Sequence, residues 1–113
     1  MHLCNLEPVP LVRALLLALL KERPKSTGYD LMKGVEDVSQ RTVSISSGTT
    51  YAELRRLERL KFVTSERDKT GRRRREYILT DSGRIELENL VTIIESRIEL
   101  ILKPLIQLVR NTK

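Results

Sequence analysis

The chain has 113 residues, 40% of them hydrophobic and 32% charged, with a formal net charge of +6 and one cysteine. That length fits one domain with a small core, the composition excludes a disordered or collagen-like chain, and a lone Cys4 excludes an intrachain disulfide and fits a reducing compartment, the cytoplasm. His2 and Cys4 are the only strong soft metal ligands, too few to close a zinc site; with one histidine and no glycine-rich phosphate loop, the chain offers neither an enzyme's catalytic arrangement nor a cofactor site.

Pro8 and Pro10 suit a helix start, and Pro24 stops the helix, so a first helix is expected over about residues 10–23. Leu11, Leu15, Ala18 and Leu19 share one face, with Leu16 and Leu20 beside it. Its apolar run Ala14–Leu20 is far short of the roughly 20 residues that a bilayer span needs, so no membrane partner is expected. Ser26 and Thr27 offer caps for a second helix over residues 28–38, with Leu31, Met32, Val35 and Val38 inward. Gly34 either weakens that helix or lets another element come close. The polar stretch from Ser39 reads as a loop, with a short extended piece at residues 43–45.

Ser46 or Ser47 can cap a third helix that ends near Lys61. Placing residues at 100° steps buries Leu54 and Leu57 with Thr50 near them, and puts Gly48, Ala52, Arg55, Arg56 and Arg59 opposite, Tyr51 at the flank. Two strand-like arms, residues 63–67 and 73–79, flank a turn at residues 68–72 in which Gly71 can supply a positive φ. Val63, Tyr77 and Leu79 should face the core. Thr80 or Asp81 then caps a last helix. Leu87, Val91, Ile94, Ile98, Ile101, Leu105 and Leu108 recur along it at alternating spacings of 4 and 3, a heptad seam that Pro104 should kink or end. A second apolar row, Leu90, Ile93, Leu100 and Leu102, lies beside the first. One small domain cannot cover both rows, and the simplest cover is a second copy of the chain.

The charge is focused. Residues 48–79 carry ten basic and five acidic side chains, so five of the six excess positive charges lie in 32 residues. A focused basic patch is the footprint of a polyanion binder. Three helices followed by a hairpin make a helix-turn-helix with a wing. The expected fold is mainly α with a small β-hairpin: a winged helix-turn-helix over residues 1–80 and a long C-terminal dimerisation helix over residues 81–113. The major groove admits one helix, and the expected partner is double-stranded DNA. Arg55, Arg56 and Arg59 supply donors on helix three; Ser46, Ser47, Thr49 and Tyr51 lie near its start, where phosphates are bound. Lys69, Arg72, Arg73 and Arg74 make a wing for the flanking backbone or minor groove. Each residue alone reads as ordinary surface; their order and the confined charge favour DNA. The rival readings are a general architectural DNA or RNA binder on the same fold and a protein-interaction domain.

Residues 27–83 resemble the PadR family of winged-helix transcription regulators. The resemblance is carried by Gly28-Tyr29-Asp30-Leu31, by Gly48, Thr49, Tyr51, Leu54, Leu57 and Glu58, and by Tyr77, Leu79, Thr80 and Gly83. It implies a homodimer joined through the C-terminal helix, usually a repressor, of the compact type with one such helix. It also implies that Tyr51 lies at the DNA backbone. Some compact members use a Trp to hold flat aromatic ligands between the dimer helices; this chain has none, and the sequence names no small-molecule effector.

Overall fold

The computed structural model describes residues 5–67 and 74–111. The Pro10 carbonyl accepts the Ala14 N–H at 3.1 Å as α1 (Leu11–Glu22) begins. A proline costs nothing there, because the first N–H groups of a helix have no partner within it. Ser26–Thr27 form a two-residue strand, β1, that runs straight into α2 (Gly28–Val38). Thr27 and Asp30 cap α2 reciprocally: the Asp30 N–H donates to Thr27 Oγ1 at 3.1 Å and the Thr27 N–H to Asp30 Oδ2 at 3.0 Å. Ser46 caps α3 (Ser47–Arg59) by accepting the Thr49 N–H at 3.1 Å. β2 (Val63–Arg67) and β3 (Arg75–Leu79) pair antiparallel, and β1 adds to the other edge of β3, giving the order β1-β3-β2. Then come α4 (Asp81–Arg97), a wide-turned π segment over Ile98–Leu102, and α5 (Lys103–Arg110).

The core gathers around α1. Leu16, Leu17 and Leu20 are fully buried against Leu31 and Val35 of α2, Leu54 and Leu57 of α3, Val63, Tyr77 and Leu79 of the sheet, and Leu87 and Leu90 of α4. Burying an aliphatic side chain of this kind contributes about 1.5–3 kcal/mol. The α3–β2 link is tightly built. Lys61 takes the left-handed conformation (φ 66°), with the Lys61 N–H on the Glu58 carbonyl and the Phe62 N–H on the Leu57 carbonyl, a helix-ending motif that glycine usually fills. The hydroxyls of Thr80 and Ser82 reach the Lys61 carbonyl at 2.7 and 2.8 Å. A Cβ on Gly83 would lie 2.1 Å from the Phe62 carbonyl oxygen, so the start of α4 is pressed against the α3–β2 turn as only glycine permits.

The structure revises three expectations and bears out the break at Pro104. The buried face of α1 is Ala14, Leu16, Leu17 and Leu20, while Leu11 and Ala18 are exposed; an almost wholly apolar run carries no polar side to fix its rotation. Val38 is exposed too. Residues 43–45 form no strand, and β1 stands where only helix caps were read, because β3 offers a free edge to the chain entering α2. Pro104 interrupts the regular part of the last helix, as expected, without stopping it: α4 gives way to the π segment and then to α5. The proline lacks an N–H for the Leu100 carbonyl, and the turn before it widens, the Lys103 N–H reaching back to the Ile98 carbonyl. Gly34 allows close approach: a Cβ there would lie 2.9 Å from a Leu19 methyl.

Candidate nucleic-acid interface

α3 divides its sides cleanly. Thr50, Glu53, Leu54 and Leu57 are buried, whereas Ser47, Gly48, Thr49, Ala52, Arg55, Arg56 and Arg59 are exposed. The Thr50 hydroxyl donates to the Ser46 carbonyl at 2.8 Å, which explains a buried threonine in an apolar row. Ser46 is engaged within the chain, its hydroxyl accepting from the Thr49 N–H and meeting Thr49 Oγ1 at 3.1 Å. Ser47 and Thr49 keep exposed positions at the helix start, where backbone N–H groups point outward.

The three helix-three arginines differ. Arg56 is paired with the carboxylate of Glu53, and Glu53 also accepts Arg13 Nε at 3.1 Å. Its charge is therefore balanced inside the protein. Arg55 turns to the other flank, into a cleft between α3, the start of α2 and β3. That cleft is lined by Thr27, Tyr29, Tyr51, Arg55, Glu58, Arg74, Arg75 and Tyr77. All three tyrosines of the chain meet there. Tyr51 is laid across Gly28, whose missing Cβ would sit 2.5 Å from the phenol ring and oxygen. This gives a physical meaning to the Gly28-Tyr29 pair: the glycine makes room for the tyrosine of α3.

The wing is tied to α3 by polar contacts. Arg75 donates to Ser65 Oγ at 3.0 Å, and Ser65 Oγ donates to Glu58 Oε2 at 2.8 Å. Burial pushes the Tyr77 phenol above its ordinary value of 10.0, the Glu58 carboxylate and Tyr51 adding to this against Arg75 and Arg55. Tyr77 thus stays protonated and able to donate at neutral pH. Cationic donors and phenolic hydroxyls side by side suit the oxygens of a phosphodiester.

Lys69, Arg72 and Arg73 lie outside the described residues; Arg74 lines the cleft. Tyr29, Arg75 and Tyr77 were missed as site residues. The signal for Arg75 and Tyr77 was present in the strand alternation, which puts them on one side of β3, but Tyr77 read as core. The seam expected for dimerisation divides. Leu87 is buried in the chain's own core, and Ile94 packs against it. α4 must rest on α1 before it can project, so these two serve the monomer first. Val91 and Ile98 are partly uncovered, Ile101 is half-buried, and Leu105 and Leu108 are 53% and 70% exposed. Among the described residues, no group of His, Cys, Asp and Glu is placed to hold a metal ion, and no helix is long and apolar enough to cross a membrane.

A family model, the transcriptional regulator PadR-like family, matches residues 16–89. The chain belongs to the PadR-like family. Among curated proteins none matches it by sequence, but solved structures do. A transcriptional regulator from Clostridium thermocellum is 26% identical with a TM-score of 0.76, over 81% of this chain and 87% of that one. A PadR family transcription regulator from Clostridium difficile is 27% identical with a TM-score of 0.62, over 87% of this chain and 97% of that one. Bacillus subtilis PadR, solved in complex with operator DNA, is 26% identical with a TM-score of 0.66. The match covers 75% of this chain and 48% of that protein, so the chain spans about half its length. The family and these neighbours are transcriptional regulators, and the chain shares their winged-helix fold.

Proposed function

We propose that this PadR-like regulator acts as a homodimer in the cytoplasm, binds a twofold-symmetric operator with sequence specificity, and represses transcription by occupying it. In this reading the exposed face of α3, with Arg55 and Arg59, enters the major groove. Arg74, the rest of the wing and the tyrosine cleft hold the flanking backbone, with the wing tip reaching the backbone or minor groove beyond. The observation that carries it is the cleft itself, where an arginine of α3, two of the wing and all three tyrosines converge beside the exposed helix face. The operator complex of Bacillus subtilis PadR supports the same class of partner for a chain of like fold. The uncovered apolar side chains of α5 support a second copy as the dimer mate.

The test is the double substitution Arg55→Glu with Arg74→Glu. Affinity for duplex DNA should fall roughly 100-fold or more at moderate salt, and the salt dependence should become shallower. Thermal melting should be unchanged, since neither arginine has an ion-pair partner among the described residues. Undiminished binding would reject the cleft as the DNA site.

A further inference from the structure

α1 carries one charged residue on its inward half, Arg13, and it joins three elements. Arg13 Nε meets Glu53 of α3 at 3.1 Å and its Nη1 meets Glu86 of α4 at 3.2 Å. Its guanidinium carbon stands 6.0 Å from the ring centroid of Phe62, in the α3–β2 link. Glu53 is 7% exposed and also holds Arg56. The four charges, Glu86, Arg13, Glu53 and Arg56, form a neutral chain that runs from α4 to the flank of α3.

The apolar contacts of Leu87 and Leu90 press α4 onto the core, but such contacts are non-directional and tolerate sliding and rotation. A planar guanidinium shared between two carboxylates fixes direction. We propose that Arg13 is a positioning residue that sets the angle between α3 and α4, and thereby the half-site spacing that the dimer accepts. This rests on the dimeric DNA-binding reading above. In it α4 and α5 carry the dimer mate while α3 carries the groove contacts, so the angle between α3 and α4 fixes the distance and phase between the two α3 helices. Each base pair of spacer moves the second half-site by about 3.4 Å and turns it by about 35°. A rigid α3–α4 angle therefore gives a sharp spacing optimum, and a loosened one a broad optimum.

The experiment uses the full chain and duplexes carrying the inverted repeat recovered by selection from a randomised library. The repeat is presented with its selected spacer, with one base pair more, with one fewer, and as an isolated half-site. The variants are Arg13→Met, Arg13→Lys and Glu86→Gln, each checked by thermal melting. Glu86→Gln breaks only one of the two pairs and guards against a misfolded Arg13→Met.

The unaltered protein should lose about tenfold or more in affinity on a one-base-pair change of spacer. Arg13→Met and Glu86→Gln should flatten that loss to about threefold or less while keeping half-site affinity. Arg13→Lys should fall between, because an ammonium keeps the charge without the fork. A uniform loss at every spacing, half-site included, would make Arg13 a structural residue only and overturn the proposal. So would an unchanged profile in folded variants. An unaltered protein that prefers no repeat over random duplex would overturn both this inference and the reading beneath it.

Discussion

The cleft beside α3 and the arm beyond Arg97 leave opposite needs unmet. Around the cleft, the polar groups that shape the backbone have partners within the chain: Ser46 caps α3, Ser65 bridges Arg75 to Glu58, and Thr80 and Ser82 close the α3–β2 turn. What remains open there is positive charge and phenolic hydroxyls. On the arm, polar contacts are few and ordinary, such as Lys103 with Glu99 on the surface. What remains open is apolar: Leu100, Leu102, Leu105, Ile106, Leu108 and Val109 are all exposed. The first region offers cationic and phenolic groups of the kind that suit an anion; the second is a surface that water covers badly. The difference teaches that one chain presents two surfaces of unlike physics, and substitutions should separate them.

The sharpest separation comes from the arm. Ile98→Glu with Leu105→Glu places charge where a second copy is proposed to sit. Sedimentation should then report monomers in place of dimers, and affinity for a two-half-site operator should fall roughly 1,000-fold through lost avidity. Half-site binding should change little, since neither residue belongs to the core, while melting should lose only the part that association adds, together with its dependence on protein concentration. Dimers that survive the double change would place the interface elsewhere.

Gly83→Ala attacks the scaffold shared by both regions. A methyl group 2.1 Å from the Phe62 carbonyl must push α4 away from the α3–β2 turn. Overpacking of this kind costs about 1–3 kcal/mol, and here it falls on backbone, so thermal melting should drop near the upper end of that range. A melting point equal to that of the unaltered protein would contradict the packing described. Gly28→Ala is milder and falls on the cleft alone. The clash is with the far end of Tyr51, which can swing aside. Stability should stay within about 0.5 kcal/mol while DNA affinity falls roughly tenfold, measured by fluorescence anisotropy. Unchanged affinity would show that the seat of Tyr51 does not matter for binding.

Much of this was legible before any coordinates. The capping residues, the three-residue spacing of Leu54 and Leu57, and the alternation of Val63, Tyr77 and Leu79 each obey a local rule, and each element formed where its rule put it. The rotation of α1 was not legible, because Ala14–Leu20 is apolar all round and only its neighbours choose its inward face. β1 was not legible either: two residues carry no strand pattern, and Ser26–Thr27 become a strand only because β3 lies alongside. In the site, Arg55 and Arg56 look alike in sequence. Tertiary structure divides them, sending one into the cleft and pairing the other with Glu53, whose burial no local pattern announces. The seam of α4 reads as one interface, but Leu87 and Ile94 are held by the chain's own core, whereas Val91, Ile98, Leu105 and Leu108 are exposed.

The most direct test of the central claim is nuclease protection on an inverted repeat selected from random duplexes, with the full chain. The account predicts two protected patches related by twofold symmetry, centred about one helical turn apart, roughly 34 Å, and both lost when Arg55 and Arg74 become Glu. Continuous protection that ignores sequence, or two patches that persist in the double variant, would contradict it.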